Sequence, residues 1–286
     1  MKKRVIIIIV LIVMFLAGLS VLLYPVFSDY MNSLSQSRVV ADYNTALSQL
    51  SEADYTDIIE AAHEYNRKLM YKQHRFTLKD NEAELAEYFS VLDFTGNGII
   101  GTIEIPAIKA DLPIYLGTDE NVLQIGLGHL EGSSLPVGGI GTHSVISGHR
   151  GLPSSTLLTR ADELEIGDIF VLKILNEVLV YEIDQSRIVL PDNFDYLGID
   201  PEMDYCTIIT CTPIGINSHR LLLRGHRIFP ENGDEQAMGY SLSLRADARR
   251  VSKVAEYAIA AVPILLITII YMFIKFIKSL KSKGRR

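Results

Sequence analysis

The spacing of apolar and polar residues divides the chain into contrasting stretches. Residues 5–27 and 257–274 contain no charged residue, and each is about as long as the roughly 20 residues that a membrane-spanning helix needs. Between them, Tyr30, Leu34, Val40, Tyr43, Leu47 and Leu50 recur at roughly helical spacing. Ser51 and Asp54 then form a capping box ahead of Ile58, Ile59, Ala62, Tyr65 and Leu69, so residues 29–70 read as two helices. The pattern weakens over 71–97, with one short acidic amphipathic piece around 81–89. From Gly98 the period changes to short runs rich in Val, Ile, Leu, Thr and Tyr, separated by Gly, Pro and Asp: 99–105, 112–116, 143–147, 168–175, 178–188, 205–210 and 221–229. Seven or eight short strands at this spacing predict an antiparallel barrel or sandwich.

The flanks of the apolar runs set their orientation, because basic residues next to a span stay cytoplasmic. Lys2, Lys3 and Arg4 precede the first, and Lys275, Lys278, Lys281, Lys283, Arg285 and Arg286 follow the second. A cleaved signal peptide would have a shorter apolar core and a small-residue exit; this run leaves through Tyr24-Pro25-Val26-Phe27. The second run could be a buried core helix, but the basic, acid-free tail behind it argues for a span. The expected plan is a cytoplasmic tail (1–4), a span (5–27), an N-terminal helical region (28–97), a β-rich barrel (98–230), a polar connector (231–256), a span (257–274) and a basic cytoplasmic tail (275–286), with 28–256 outside the cell.

Charge follows the same division. The formal net charge is −7, yet nine of the 27 basic residues sit in the two tails while all 34 acidic ones lie between the spans, leaving the outer part at −16. A surface so acidic argues against nucleic acid as a partner and mildly favours basic substrates.

Only two cysteines are present, Cys206 and Cys211, five apart in one expected strand. An odd separation puts them on opposite faces, and about 16 Å of extended chain between them exceeds the roughly 7 Å that a disulfide spans. Cys206 reads as a core residue. Cys211 ends its strand ahead of Thr212-Pro213-Ile214-Gly215, where the ladder stops and the rim is exposed, so it is the candidate nucleophile.

A nucleophilic thiol needs a proton acceptor and a group that bears the oxyanion. His149, between glycines in Ser147-Gly148-His149-Arg150-Gly151, and His143, of the same strand parity, both qualify, whereas His63 and His74 read as surface residues. Arg220 and Arg224 share one face of the last strand, with Leu221 and Leu223 on the other. No CxxC or HExxH motif is present, so no metal site is expected. Eight glycines between Gly126 and Gly151 match no phosphate-loop pattern and read as turn formers. No cofactor is implied.

Taken together, several motifs resemble the class C, pilus-assembling, sortases of Gram-positive bacteria. They are Gly101-Thr102-Ile103-Glu104-Ile105-Pro106, the run from Gly128-His129-Leu130-Glu131-Gly132 to Gly139, Ser147-Gly148-His149-Arg150-Gly151-Leu152-Pro153, Ile208-Ile209-Thr210-Cys211-Thr212-Pro213, and Asn217-Ser218-His219-Arg220-Leu221-Leu222-Leu223-Arg224-Gly225-His226-Arg227. The resemblance implies an eight-stranded sortase-type barrel, which together with the spacing pattern above gives a mostly β fold with N-terminal helices, flanked by two transmembrane helices. It also implies a triad of Cys211, His149 and Arg220 that cleaves an LPxTG-like sorting signal of a pilin and joins the acyl group to a lysine amine of another pilin.

A housekeeping sortase, which attaches proteins to the cell wall, and a non-catalytic pilus-assembly scaffold are the alternatives. One family feature is missing. Class C sortases usually carry a lid with an Asp-Pro-aromatic motif, but this chain has no Trp and no Pro between residues 71 and 97. The lid is therefore expected to be degenerate or absent, or its aromatic plug to be Tyr88, Phe89 or Phe94.

Overall fold

The structure, a computed structural model, describes residues 2–72, 74–229 and 275. The connector 231–256 and the second expected span, 257–274, lie outside the described residues.

The first expected span and the first expected extracellular helix are one element. Helix α1 (Lys2–Leu47) runs unbroken through Pro25. Its apolar N-terminal part is long enough to cross a membrane and is covered by no part of the described chain. Beyond that part α1 is bonded to the globular domain. Asp29 Oδ1 accepts from Thr156 N (2.7 Å) and Thr156 Oγ1 (2.9 Å), Asn32 Nδ2 donates to Ser154 O (2.8 Å) and Gln36 Nε2 donates to Ile125 O (2.9 Å). Farther on, the Tyr43 hydroxyl donates to Ile100 O and accepts from Leu175 N, each at 3.0 Å.

Helix α2 (Glu52–Met70) starts at the expected capping box, where Ser51 Oγ accepts from Asp54 N and Ser51 N donates to Asp54 Oδ2. It packs Ala62, Tyr65 and Leu69 into the core. Asn66 bonds the backbone of Leu135 twice, which ties the helix to the barrel. A 3-10 segment, Arg75–Asp80, and helix α3 (Glu82–Val91), capped by Asn81, complete the N-terminal region.

Eight strands close a barrel: β1 (Ile99–Ile105), β2 (Ala110–Leu116), β3 (Leu127–His129), β4 (Thr142–Ser147), β5 (Ile169–Ile174), β6 (Glu177–Val189), β7 (Asp204–Thr212) and β8 (His219–Ile228), in the order β1-β2-β3-β4-β7-β8-β6-β5. The expectation of an antiparallel sheet needs correction, because β2–β3 and β4–β7 are parallel. Strand alternation reveals which face is buried and says nothing about the direction of a neighbour. Ile103, Ile146, Phe170, Leu172, Ile183, Cys206, Ile208 and Leu223 fill the interior. Gly225 is required there, since a Cβ would lie 2.7 Å from the Phe170 ring. Strand β1 is buried on both faces because α1 covers its outer side with Tyr43, which packs on Ile99 and Tyr115.

Candidate active site

Alternation along β7 points Cys206, Ile208 and Thr210 inward and Thr207, Ile209 and Cys211 outward. Cys206 is fully buried, and burial pushes its thiol well above the usual value, which leaves it protonated and inert. Cys211 is half-buried and free. It sits directly opposite Arg220, its register partner on β8.

The two arginines of β8 are in different situations. Arg224 is held by Asp184 through two hydrogen bonds of 2.9 and 2.8 Å and lies over the Tyr205 ring at 4.1 Å. Arg220 pairs with no carboxylate among the described residues. Its Nη1 donates to the carbonyls of Asn217 (3.2 Å), in the turn that joins β7 to β8, and of His219 (3.1 Å), the first residue of β8. That leaves the rest of its guanidinium fork for a ligand.

The two candidate histidines also separate. His143 is buried, with Nδ1 donating to Gly198 O and Nε2 accepting from Thr207 Oγ1, both at 2.7 Å. Burial, aided by the nearby charges of Arg224 and Arg75, pushes it down to about 4, so it is a neutral structural cross-link. His149 is brought to the end of β7 by two bonds that carry the parallel pairing past the end of β4: Gly148 N donates to Ile209 O (3.0 Å) and Thr210 Oγ1 donates to Gly148 O (2.8 Å). Its side chain is 24% exposed, and Nε2 lies 3.3 Å from Glu120 Oε1, leaving Nδ1 for other work. Glu120 opens the short helix α4 (Glu120–Leu123). Its carboxyl is held below the usual range by a hydrogen bond from Gln124 and then by the His149 charge.

Pattern reading missed several residues around this site. Arg150, nearly buried, pairs with Asp162 (2.5 Å), donates to Thr159 O (3.2 Å) and reaches Thr212 Oγ1 (3.5 Å), bracing the loop after His149 against the residue after Cys211. Phe76, in the 3-10 segment, stacks on Phe194 with ring centres 4.7 Å apart. It packs against Val145, Val189, Leu197 and Leu222, on the sheet face that carries Cys211. Arg75 Nη2 donates to Leu197 O (3.0 Å), and Gly132 makes room for the Arg75 carbonyl, which would lie 2.1 Å from any Cβ there.

Tyr88, Phe89 and Phe94 pack elsewhere. Tyr88 is fully buried; its hydroxyl donates to His129 O (3.0 Å), accepts from Gly117 N (2.9 Å) and meets His129 Nδ1 at 2.9 Å. Phe89 lies edge-on to Tyr88, and Phe94 lies against Tyr43. An aromatic in a 3-10 turn has no periodic neighbours, so nothing in the sequence distinguished Phe76.

Residues 103–228 match the sortase domain family. The chain is similar to sortase C1 of Streptococcus agalactiae, with 46% identity, coverage of 68% of this chain and 100% of that one, and a TM-score of 0.64. It is also similar to Streptococcus pneumoniae sortase C, with 40% identity, coverage of 67% and 96%, and a TM-score of 0.58. Sortase D of Bacillus subtilis is 34% identical over 131 residues, which are 45% of this chain and 63% of that protein's length. A closed barrel with an outward Cys facing an Arg, matched at these identities to class C structures, means that the chain belongs to the sortase family, a family of cysteine transpeptidases.

Proposed function

We propose that the chain is a membrane-anchored class C transpeptidase in which Cys211 is the nucleophile, His149 the acid and base, and Arg220 the group that orients the sorting signal and bears its oxyanion. The observation that carries this reading is the facing of Cys211 and Arg220 across β7 and β8, with His149 drawn to the same strand end. Cys211 Sγ attacks the Thr-Gly carbonyl of an LPxTG-like signal. The C–S bond forms, the C–N bond breaks, and His149 gives its proton to the departing amine. A lysine amine of a second pilin then attacks the thioester, His149 takes its proton, and an isopeptide bond replaces the C–S bond. The thioester conserves the energy of the cleaved amide, so no nucleotide is required provided water is kept out.

Anchoring by α1, together with the second span expected at 257–274, holds the enzyme beside substrates whose sorting signals end in a membrane-seated tail, which raises their effective concentration. The 3-10 segment acts as a degenerate lid, with Phe76 occupying the substrate face in place of an Asp-Pro-aromatic plug. Incubating the full chain with a pilin and its sorting signal should yield a ladder of covalent multimers that Cys211→Ala abolishes. Hydrolysis alone, or transfer only to oligoglycine, would favour the housekeeping alternative. Polymer formation by the Cys211→Ala chain would favour the scaffold.

A further inference from the structure

Helix α1 fixes which end of the barrel faces the membrane. Its apolar run ends at Phe27, and the helix then bonds the globular domain at Asp29, Asn32 and Gln36, the first about 3 Å and the last about 14 Å farther along at 1.5 Å per residue. The partners at these positions are Thr156, Ser154 and Ile125. The first two belong to the loop that follows His149. The helix then descends to Tyr43, which bonds Leu175 at the β5–β6 hairpin. That hairpin lies at the other end of the barrel, because β6 starts beside the end of β8 and finishes beside Arg220. The Cys211 end is therefore the membrane-proximal end.

The surface of that end has an unusual composition. Loops 124–126, 151–156 and 213–218 contain no charged residue, although the part of the chain between the two apolar runs carries a net −16. They expose Ile125, Ile214 and Ile216, which are 45, 47 and 72% accessible. Ile188 and Leu190, at the end of β6 beside Arg220, are 65 and 62% accessible. Loops 151–156 and 213–218 form one rim: a Cβ on Gly151 would lie 2.6 Å from the Ile214 side chain. At the far end, by contrast, Glu177, Glu202, Asp204 and Arg227 surround Ile140 and Phe229.

We infer that the uncharged rim beside Cys211, led by Ile214 and Ile216, rests in the interfacial layer of the same bilayer that α1 enters. The inference rests on reading α1 as a membrane anchor and does not require the transpeptidase reading. The occupant is a lipid surface because the helix holds loop 151–156, bonded at Asp29 and Asn32 about 3 and 8 Å beyond the run, within the roughly 5–8 Å depth of the headgroup region, and because apolar side chains on charge-free loops suit that layer. A scissile bond close to a membrane-seated tail would then reach the thiol without being pulled out of the bilayer.

The chain contains no Trp, so single tryptophans can report depth. The full chain carrying Ile216→Trp, Ile214→Trp or, at the far end, Ile140→Trp is reconstituted in phosphatidylcholine–phosphatidylglycerol vesicles, with and without brominated acyl chains. Emission from positions 214 and 216 should shift to the blue and fall at least two-fold with the brominated lipid, while position 140 stays unchanged. If positions 214 and 216 respond no more than 140, the rim does not touch lipid and the inference fails. Failure of the chain to float with vesicles would remove the anchor and the inference together. Absence of transpeptidation by the unsubstituted chain in the same vesicles, with quenching of the variants intact, would sink the catalytic reading alone.

Discussion

Acid should loosen this barrel through two buried histidines. His129 is fully enclosed, its ring held by Tyr88, Ser133 and the Ser134 carbonyl, and burial pushes it down to about 4. His143 is pushed down to about 4 in the same way. In the unfolded chain each would titrate near its ordinary 6.5. The folded value is therefore the lower one. Above pH 6.5 both states are neutral at these rings and stability is complete; as pH falls from 6.5 towards 4 the unfolded chain takes up protons that the folded one refuses, and stability is lost. Between pH 7 and pH 5 each ring should cost about 2 kcal/mol, and the pair about 4. Asp204, whose carboxyl burial raises, works in the opposite sense, so the informative quantity is a difference between variants. His143→Gln keeps a donor and an acceptor and does not titrate. Urea unfolding of the full chain in detergent micelles at pH 7 and pH 5 should show the variant losing about 2 kcal/mol less than the wild type over that interval. Equal losses in the two proteins would mean that His143 titrates alike in both states, and the reasoning would be wrong.

Other substitutions test the site and its supports. A native chain should take up one equivalent of an alkylating reagent at Cys211, with Cys206 reacting only after unfolding, as counted by mass spectrometry. Arg220→Ala should lower kcat/KM for a sorting-signal peptide by about 100-fold or more, the usual cost of losing one oxyanion donor, whereas Arg224→Ala should act mainly on stability, through the stranded Asp184. Phe76→Ala should lower KM for the same peptide several-fold, measured by steady-state kinetics; an unchanged KM would show that the ring does not compete with substrate. Tyr88→Phe strands the Gly117 amide and removes the bond to His129, and should cost about 2–3 kcal/mol in urea unfolding.

Much of the fold is legible in the chain because the strands alternate cleanly and are bounded by glycine and proline. Strand β1 begins and ends where the pattern changes, and the Ser51–Asp54 cap starts α2 as its spacing predicts. Strand β3 escaped because three residues among glycines carry no period. The junction of span and helix was hidden for the opposite reason: Pro25 and the end of the apolar run at Phe27 suggest a boundary, yet the helix runs through both, so one rod looks like two elements. At the site, strand parity places Cys211 and Arg220 but leaves His143 and His149 equivalent. What separates them is the set of partners around His143, contributed by Gly198 and Thr207 from distant parts of the chain. Glu120 and Phe76 come from a four-residue helix and a 3-10 turn, elements too short to mark themselves in sequence.

The way the site is stitched together has a consequence for the newborn chain. Cys211 and Arg220 meet across a hairpin with a short turn, a contact that costs little loop entropy and can form while the rest is still open. His149 arrives by a different route, through the parallel docking of β4 on β7, where Thr210 and Gly148 are 62 residues apart. Parallel, non-local pairing of this kind comes late. A thiol labelled during refolding should therefore gain its reactivity in step with barrel closure and not with hairpin formation. On the proposed roles of His149 and Cys211, completion of the barrel is the event that arms the cysteine.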